Sequence, residues 1–520
     1  MDDQGLGDSC YISRSCRGQS KHKTKNEEII MIAKTVINYR AVLKVIGWLL
    51  LIEAAIFVLP LAVSIIYGEK DYWVFLVSMG CCLVSGLAFA LPLRGRMPAV
   101  KRRESYLLTG LSWVLFSVFG MLPFIMSPSC ALSVTDAFFE AMSGFTTTGA
   151  TVITDIDSCS KGVLLWRSEI QWFGGLGIIL FTLALLPDLN RSEGLRMFNT
   201  EATGITHDKI HPRIGYTAKT LWELYAGLTI ACVLMLWLGP MNLFDSVCTA
   251  MSCVSTGGFG THSQGLEYWD SGYVNGVLTV FMFLGGVNFI LLYKVFKGES
   301  RRLWKNDVFR CYCLILAVAL ALTLVSMFSR GEYGGIKETV IDPLCQLVSA
   351  FTSTGVTSMP YESMGPAVLA VIMTLMMIGA CAGSTTGGLK VDRFLALFKN
   401  IRNESQRTLY PNRVKCVMVN GTCLTDGAMG KVSAFFTWYV FLLVIVTVIT
   451  AMYGFPLVDS FFGTLSCISN NGLGYGVCGI AGSFGAFPDM VKWLMSLLML
   501  AGRLELFTVI VLFMPGFWKS

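Results

Sequence analysis

Three residue types recur at one fixed spacing in four segments of the chain. An Asp is followed seven positions later by a Ser and six positions after that by a Gly. The copies are Asp136/Ser143/Gly149, Asp245/Ser252/Gly258, Asp342/Ser349/Gly355 and Asp459/Ser466/Gly472. Short, mostly polar residues precede each glycine, and rings of backbone carbonyls can replace the water shell of a cation. The repetition therefore predicts four backbone segments that converge on one axis and form a cation pathway.

The candidate ion-binding residues are the three residues before each glycine and the glycine itself. They are Thr146, Thr147, Thr148, Gly149, Ser255, Thr256, Gly257, Gly258, Thr352, Ser353, Thr354, Gly355, Ser469, Asn470, Asn471 and Gly472. We expect the backbone carbonyls of these residues to turn inward, since the glycine permits the required backbone angles. Each motif Asp is predicted to cap a short helix whose negative end points at the axis. A single copy would be read as an ordinary interfacial loop, but four matched copies argue against that.

Long apolar stretches must hold these segments in place. The chain has 520 residues, of which 54% are hydrophobic and 14% charged, and its mean hydropathy is +0.62. This composition indicates a polytopic membrane protein, because soluble proteins average about a quarter charged residues. Stretches long enough to cross about 30 Å of hydrocarbon lie near 42–66, 72–93, 106–126, 163–187, 220–239, 272–296, 311–329, 365–398 (broken), 432–453 and 488–514. The sequence thus predicts ten membrane-crossing helices and four re-entrant segments.

The predicted fold is all-α, with four pseudo-symmetric helix–pore-loop–helix repeats around one ion pore and one extra N-terminal helix pair. The predicted boundaries are a polar tail at 1–29, the extra pair at 30–105, and repeats at 106–190, 191–298, 299–399 and 400–520. An enzyme is not expected, since the four histidines lie in hydrophilic segments and no catalytic or metal cluster accompanies them. The 17 cysteines show no disulfide framework and are read as small buried hydrophobic residues.

The basic residues predict the orientation in the membrane. Lys and Arg concentrate in the connections 94–105, 297–310 and 399–415, whereas 259–271 and 473–487 contain none. Cytoplasmic loops carry the excess of Lys and Arg, so both termini are predicted to be cytoplasmic. The net charge of +6 is then a topology signal and gives no support to nucleic-acid binding. The tail lacks the apolar core of a secretory signal.

With these motifs, the chain resembles the Trk/Ktr/HKT superfamily of potassium transporters, and specifically its Trk-type membrane subunit, from about residue 40 onward. The segments 146–151, 255–259, 352–357 and 469–474 are similar to the four selectivity-filter segments of that family. The extra helix pair is similar to the Trk branch. The resemblance implies K⁺ uptake across the bacterial cytoplasmic membrane, with K⁺ as the transported ion and no bound cofactor.

A polar interruption lies in the second helix of repeat 3. Its residues Gly383, Ser384, Thr385, Thr386, Gly387 and Gly388 have poor helix propensity. The surrounding segment 379–390 resembles the intramembrane gating loop of the family, which lies beneath the filter. A passive helix kink remains an open alternative.

Arg503 and Glu505 lie in the last apolar span, where charges are costly and usually mark a pathway. A matching Arg in the family projects into the pore, so Arg503 is expected to be an electrostatic barrier to the passing cation. The open alternative is a structural Arg503–Glu505 ion pair. Glu53 lies outside the repeats and is read as a buried helix-contact residue.

Glycine at all four filter positions is associated in the family with K⁺ over Na⁺. The alternative function is a Na⁺- or H⁺-coupled cation symporter, for which Glu140, Glu169, Arg503 and Glu505 are the candidate charged residues. The resemblance also implies a homodimer in contact with membrane lipid. It further implies a cytosolic, TrkA-like nucleotide-binding regulatory subunit, for which the loops 188–219 and 399–431 are the candidate contacts.

Overall fold

Helices form almost all of the regular structure in the computed structural model of the protein. It describes residues 37–91, 101–177, 214–331, 334–411, 415–480 and 482–518. The predicted tail at 1–29 lies outside these residues, as does most of the junction between the predicted first and second repeats. The expected all-α membrane fold is confirmed.

The elements follow the predicted order of one extra pair and four repeats. The extra pair comprises α1 (Tyr39–Ile56), α2 (Val58–Ile66) and α3 (Tyr72–Ala90). The first repeat contains α4 (Arg102–Gly120), α5 (Leu122–Met126), α6 (Val134–Phe145) and α7 (Lys161–Gly175). The second contains α8 (Ile214–Trp237), α9 (Leu243–Val254), α10 (Gly272–Gly285) and α11 (Phe289–Phe296).

The short helix α12 (Arg301–Lys305) leads into the third repeat. That repeat contains α13 (Asp307–Arg330), α14 (Asp342–Phe351), α15 (Pro366–Ile378) and α16 (Val391–Leu409). A two-stranded antiparallel hairpin, β1 (Met418–Val419) and β2 (Thr422–Cys423), connects it to the fourth. The fourth contains α17 (Asp426–Met452), α18 (Leu457–Ser469), α19 (Asp489–Arg503), α20 (Leu506–Phe513) and α21 (Pro515–Trp518).

Six helical stretches of the described chain are long and apolar enough to cross a bilayer, or seven if the bent pair α10–α11 is one span. Large apolar side chains such as Val84, Val325 and Val448 are exposed on these helices, as expected of a lipid-facing surface. The protein is therefore a multi-pass membrane protein. The three other predicted spans begin as shorter helices, α7, α15 and α19.

Two spans that the sequence predicts as continuous are broken. The span at 272–296 bends by 106° between α10 and α11, where the Asn288 side chain accepts hydrogen bonds from the N–H groups of Ile290 and Leu291 and so starts a new helix. The span at 488–514 breaks at Glu505, whose φ of 69° no α-helix accommodates. Both breaks surround the segment 379–390.

The extra pair packs as two closely approaching helices. A Cβ at Gly47 would lie 2.9 Å from the carbonyl oxygen of Gly86, and one at Gly86 would lie 3.0 Å from that of Gly47. Small residues allow such close approach of membrane helices. Glu53 is fully buried in α1, as the sequence suggests for a helix-contact residue.

The four short helices that precede the polar segments are α6, α9, α14 and α18, and we call them the pore helices. Each packs against the helix that follows the polar segment of the preceding repeat, and the pattern closes on itself. The pairs are α9 with α7, α14 with α10, α18 with α15, and α6 with α19. The last pair includes an ion pair of 2.5 Å between Lys492 and Asp136. Four repeats therefore form a closed ring.

The expected capping role of the motif Asp residues is wrong. Ser133 and Asn242 are the N-caps of α6 and α9, and their side chains accept hydrogen bonds from the N–H groups of Asp136 and Asp245. Asp459 is likewise the third residue of α18, and Asp342 is the first residue of α14. The carboxylates lie in the first turn of each helix, where they interact favourably with the positive end of the helix dipole but do not cap the helix.

Candidate functional site

The polar residues and glycine that follow each pore helix adopt one conformation in all four repeats. We call the segments 146–149, 255–258, 352–355 and 469–472 the pore segments. In each, the residue before the glycine donates its N–H to the carbonyl of the motif Ser. These bonds are Thr148 to Ser143 at 2.8 Å, Gly257 to Ser252 at 2.8 Å, Thr354 to Ser349 at 2.9 Å and Asn471 to Ser466 at 2.9 Å. The motif Ser thus fixes the turn through its backbone.

The second residue of every pore segment has a left-handed backbone. The φ angles are 52° at Thr147, 55° at Thr256, 50° at Ser353 and 52° at Asn470. β-branched residues such as Thr rarely take this conformation. Its occurrence in all four copies indicates that the surrounding structure imposes it, as is common at functional sites.

The four glycines form a ring with the carbonyls of neighbouring segments. Their φ angles are 82°, 84°, 79° and 82° at Gly149, Gly258, Gly355 and Gly472. A Cβ on each would clash with the carbonyl oxygen before the glycine of the next segment. The distances are 2.2 Å from Gly149 to Gly257 O, 1.9 Å from Gly258 to Thr354 O, 1.8 Å from Gly355 to Asn471 O and 2.4 Å from Gly472 to Thr148 O. The ring therefore runs through all four repeats in chain order and closes.

The side chains of the pore segments pack into the protein. All eleven of their hydroxyl and amide residues are at most 1% exposed. Thr146, Thr352 and Ser469 donate their hydroxyls to carbonyls one helical turn earlier, at 2.6–2.7 Å. Asn470 donates to the Thr148 hydroxyl at 3.0 Å and Asn471 to the Ala350 carbonyl at 2.7 Å, which joins the fourth segment to its neighbours. The side chains thus act as braces for the backbone.

Two buried polar residues that the sequence analysis did not place at the site support the first two pore segments. Arg167 of α7 forms a 2.9 Å ion pair with Glu140 of α6 and donates to the Gly260 carbonyl at 3.1 Å. Gln171 donates to the Gly257 carbonyl at 2.7 Å and accepts from the Ser252 hydroxyl at 2.9 Å. The sequence signal that could have identified Arg167 and Gln171 is their position within the apolar stretch 163–187, since buried polar groups need hydrogen-bond partners.

A cavity of about 450 Å³ opens at one end of the glycine ring. Its lining includes all four ring glycines, together with Arg167 and the connections 259–267 and 472–474. The four pore helices end at the pore segments, so their negative dipole ends converge there. Carbonyls and converging helix C-termini favour a cation at this position.

The segment 379–390 is irregular, since α15 ends at Ile378 and α16 begins at Val391. It contacts three of the pore segments. The Gly387 N–H donates to the Ser353 hydroxyl at 2.7 Å, Thr385 and Thr256 hydroxyls are 3.1 Å apart, and a Cβ at Gly387 would lie 2.1 Å from Ser469 O. Asn288, at the bend of repeat 2, holds the segment by donating to Ala382 O at 2.7 Å.

Arg503 joins this segment to repeat 1. Its guanidinium donates to the carbonyl of Thr385 at 2.5 Å, to that of Gly174 at 2.6 Å and to that of Gly175. The alternative prediction, an Arg503–Glu505 ion pair, is wrong, because Glu505 forms its ion pair with Arg393 of α16. Arg503 is the last residue of α19, and two of its acceptors, the carbonyls of Gly174 and Gly175, lie at the C-terminal end of α7, where helix carbonyls are left free.

Known cation transport proteins are similar to this chain over most of its length. A family model described as TrkH, cation transport protein, matches residues 74–520. The Trk system potassium uptake protein TrkH of Salmonella typhimurium is 33% identical over 485 residues, which cover 93% of this chain and all of that protein. TrkG of Escherichia coli K12 is also 33% identical over 485 residues, or 92% of this chain and 99% of that protein.

A solved structure agrees with the fold. The crystal structure of the potassium transporter TrkH from Vibrio parahaemolyticus superposes with a TM-score of 0.84 at 31% identity, covering 93% of this chain and all of that chain. The resemblance inferred from the four motifs is confirmed, as is the expectation that the protein is not an enzyme, because the relatives are transporters. The chain belongs to the TrkH family of cation transport proteins.

Proposed function

We propose that the protein takes up K⁺ across the cytoplasmic membrane through a pore whose selectivity filter is the ring of four pore segments. The observation that carries this is the closed contact of the four glycines with the carbonyls of their neighbours. Such a ring offers oxygen ligands in place of the water shell of the ion. The relatives named as potassium uptake proteins support K⁺ as the cargo.

The proposed ion ligands are backbone carbonyls of the pore segments. The side chains of these segments are buried, and all of the polar ones except the Thr147 side chain form hydrogen bonds within the protein, which leaves the backbone to line the axis. The motif Asp residues are not proposed as ligands, since they lie at the opposite ends of the pore helices.

The segment 379–390 is proposed as the gate of the pore. Arg503 is proposed to hold this segment in the closed position. The segment contacts pore segments 2, 3 and 4, and Arg503 connects its Thr385 carbonyl to the end of α7 in repeat 1. All four repeats therefore contribute to one obstruction. A cation leaving the ring on this side meets the guanidinium charge, which opposes its passage.

The cavity at the other end of the ring is proposed to face the outside of the cell. The connections that line it, 259–267 and 472–474, contain no Lys or Arg, whereas the basic helix α12 and the connection 399–415 lie at the other ends of these helices. Both termini are then cytoplasmic, with residues 1–29 forming a cytoplasmic tail.

A homodimer and a TrkA-like nucleotide-binding regulatory subunit complete the proposed assembly. The loop 399–431 is the proposed contact for that subunit within the described chain, because it combines exposed charges with the exposed strand β2 of the hairpin. The candidate loop 188–219 lies almost entirely outside the described residues. The division into an extra helix pair at 30–105 and repeats at 106–190, 191–298, 299–399 and 400–520 is part of the same proposal.

Coupling to Na⁺ or H⁺ is the second candidate function. Two of the four residues considered for it, Glu140 and Glu505, form ion pairs with Arg167 and Arg393. A carboxylate that neutralises a fixed cation is poorly suited to exchanging protons in each transport cycle, because protonation leaves the buried cation unpaired. These contacts argue against Glu140 and Glu505 as the residues that would couple transport to a second ion.

Growth of a bacterial strain that lacks K⁺ uptake systems tests the proposal. Expression of the chain is expected to restore growth at limiting K⁺. Gly258→Asp, whose side chain would occupy the ring, is expected not to restore growth at equal membrane abundance. Unrestored growth with correctly inserted wild-type protein would refute K⁺ uptake, and uptake that requires a Na⁺ or H⁺ gradient would favour the symporter.

A further inference from the structure

Two thiols meet on the cavity side of repeat 1. Cys130 lies between α5 and α6, and Cys159 lies between pore segment 1 and α7, 29 positions later. Their Sγ atoms are 3.4 Å apart. We propose that Cys130 and Cys159 form a disulfide bond that locks the outer end of repeat 1.

The fold holds the two cysteine-bearing segments together independently of the thiols. The N–H of Ser160, next to Cys159, donates to the hydroxyl of Ser129, next to Cys130, at 3.2 Å. The Ser127 and Ser129 hydroxyls in turn donate to the carboxylate of Asp71 at 2.5 and 3.1 Å. The two segments are thus fixed side by side, so the sulfur atoms need to move only a short distance toward each other to form the bond.

These segments belong to the outer layer of the protein. Ile156, three residues before Cys159, donates its N–H to the Ser263 hydroxyl at 3.0 Å, and both residues line the cavity above the glycine ring. The inference rests on the proposed orientation, in which this cavity is extracytoplasmic. Disulfides form and persist in that compartment and are rare in the cytosol.

The local chemistry favours oxidation. The hydrogen bond between the two thiols lowers the pKa of Cys159 and raises that of Cys130, so Cys159 is the more reactive thiol of the pair; burial opposes the lowering at Cys159, and the positive charge of Arg167 adds to it. Thiolate is the reactive form in disulfide exchange. The two thiols together lose two protons and two electrons as the S–S bond forms. The acceptor is the disulfide of an extracytoplasmic thiol–disulfide oxidoreductase, which is reduced to two thiols.

The bond would enclose a functional part of the chain. The closed loop contains the whole of pore helix α6 and pore segment 1. It ties the segment before the pore helix to the segment after the pore segment. A cross-link of this kind stabilises mainly by restricting the unfolded chain. Repeat 1, which supplies pore segment 1 to the glycine ring, is therefore the part that the covalent bond reinforces.

Peptide mass spectrometry of the full-length chain tests the bond directly. Membranes are treated with N-ethylmaleimide without reductant before digestion. We expect a peptide pair linked through Cys130 and Cys159, also in Cys478→Ser, which removes another buried cysteine on the same face. Recovery of both residues as alkylated thiols in aerobically grown cells would overturn the proposal.

Two further measurements separate the bond from the proposed orientation and function. Reductant is expected to lower the midpoint of thermal unfolding of the wild type by several degrees and to leave Cys130→Ser unchanged. In Cys159→Ser, a membrane-impermeant maleimide should label Cys130 in intact cells. Labelling from the cytoplasmic side alone would refute both the orientation and the disulfide. Linked cysteines in a chain that fails to restore K⁺-dependent growth would refute only the proposed transport function.

Discussion

At the fourth position of each pore segment, the backbone and a neighbouring carbonyl together exclude a side chain. The φ of 82° at Gly149 is unfavourable for an L-residue, and a Cβ there would lie 2.2 Å from the Gly257 carbonyl oxygen. The same holds at Gly355, with a φ of 79° and 1.8 Å to the Asn471 oxygen. A substitution must therefore displace a carbonyl that is proposed to bind the ion.

Gly149→Ser and Gly355→Ser should each lower the preference for K⁺ over Na⁺. A displaced carbonyl changes the size and field of the site, on which selectivity depends. Ion competition in Rb⁺ or K⁺ uptake measures the effect. Gly227→Ser, where a Cβ on α8 meets nothing within 4 Å, is the matched control. Unchanged discrimination in both ring variants would reject the filter assignment.

Arg503→Ala should increase K⁺ flux. The change removes a positive charge from the proposed path and the bonds from the guanidinium to the Thr385 and Gly174 carbonyls. Two unit charges 4 Å apart interact by about 4 kcal/mol at an effective dielectric constant of 20. Each ~1.4 kcal/mol corresponds to about tenfold in rate, so even a partial release should be measurable in liposome flux.

Arg503→Lys separates the effect of the positive charge from the effect of the hydrogen bonds that hold the segment. A single ammonium keeps the charge but cannot span the same carbonyls. We expect an intermediate flux. Flux of Arg503→Ala equal to wild type would reject both roles. Adding Glu505→Gln to Arg503→Ala should lower expression and give no rescue, since the partner of Glu505 is Arg393.

At the scale of elements, the Glu140–Arg167 pair connects pore helix α6 to α7 and to the chain beyond the first two pore segments. Glu140 accepts from the Val152 N–H at 2.9 Å, and Arg167 donates to the Gly260 carbonyl. In repeat 3, Gln346 occupies the corresponding position and accepts from the Ser358 N–H at 3.0 Å. The neutral Gln346 thus preserves in repeat 3 the backbone contact that the charged Glu140 makes in repeat 1.

Arg167→Ala should destabilise the protein by about 3–5 kcal/mol, because it leaves a buried carboxylate without its cation. Adding Glu140→Gln should recover part of this loss. Thermal unfolding in detergent compares the variants, with Lys219→Ala of the exposed Lys219–Glu223 pair as a control worth under about 1 kcal/mol. Equal stability of Arg167→Ala and Lys219→Ala would contradict the structural role.

Deletion of residues 383–387 should raise K⁺ flux in the absence of a regulatory partner. The deletion removes the contacts of Thr385 and Gly387 with pore segments 2 and 3. Thr385→Val is a milder form, and Thr374→Val on the exposed face of α15 is its control. A shortened protein that inserts and folds but conducts no faster than wild type would leave the segment as a helix kink.

At the scale of the whole molecule, the proposed orientation places the β-hairpin in the cytosol. Cys416 and Cys423 are exposed there. A membrane-impermeant maleimide should label them only after the membrane is permeabilised. Ser363→Cys, at an exposed position two residues from the cavity-lining Tyr361, should be labelled in intact cells. The reverse pattern would invert the topology and place the gate on the outer side.

The sequence alone determined the membrane class, the fourfold repetition and the positions of the pore segments and of the break at 379–390. These features can be recognised from the sequence because the length of an apolar stretch, a glycine or a run of short polar residues determines the structure of its own segment. The family resemblance added the identity of the cargo. The predictions that Asp residues cap the pore helices and that spans 272–296 and 488–514 are continuous were wrong.

Only the tertiary structure decided which groups meet across the ring. The contacts of Gly149 with Gly257 and of Arg503 with Gly174 and Thr385 join residues that are between about 100 and 330 positions apart. The partner of Glu505 and the meeting of Cys130 with Cys159 were equally invisible. Such pairs depend on how four repeats pack around one axis. Spacing along a single chain records the period of a repeat but carries no information on which atoms of different repeats come into contact.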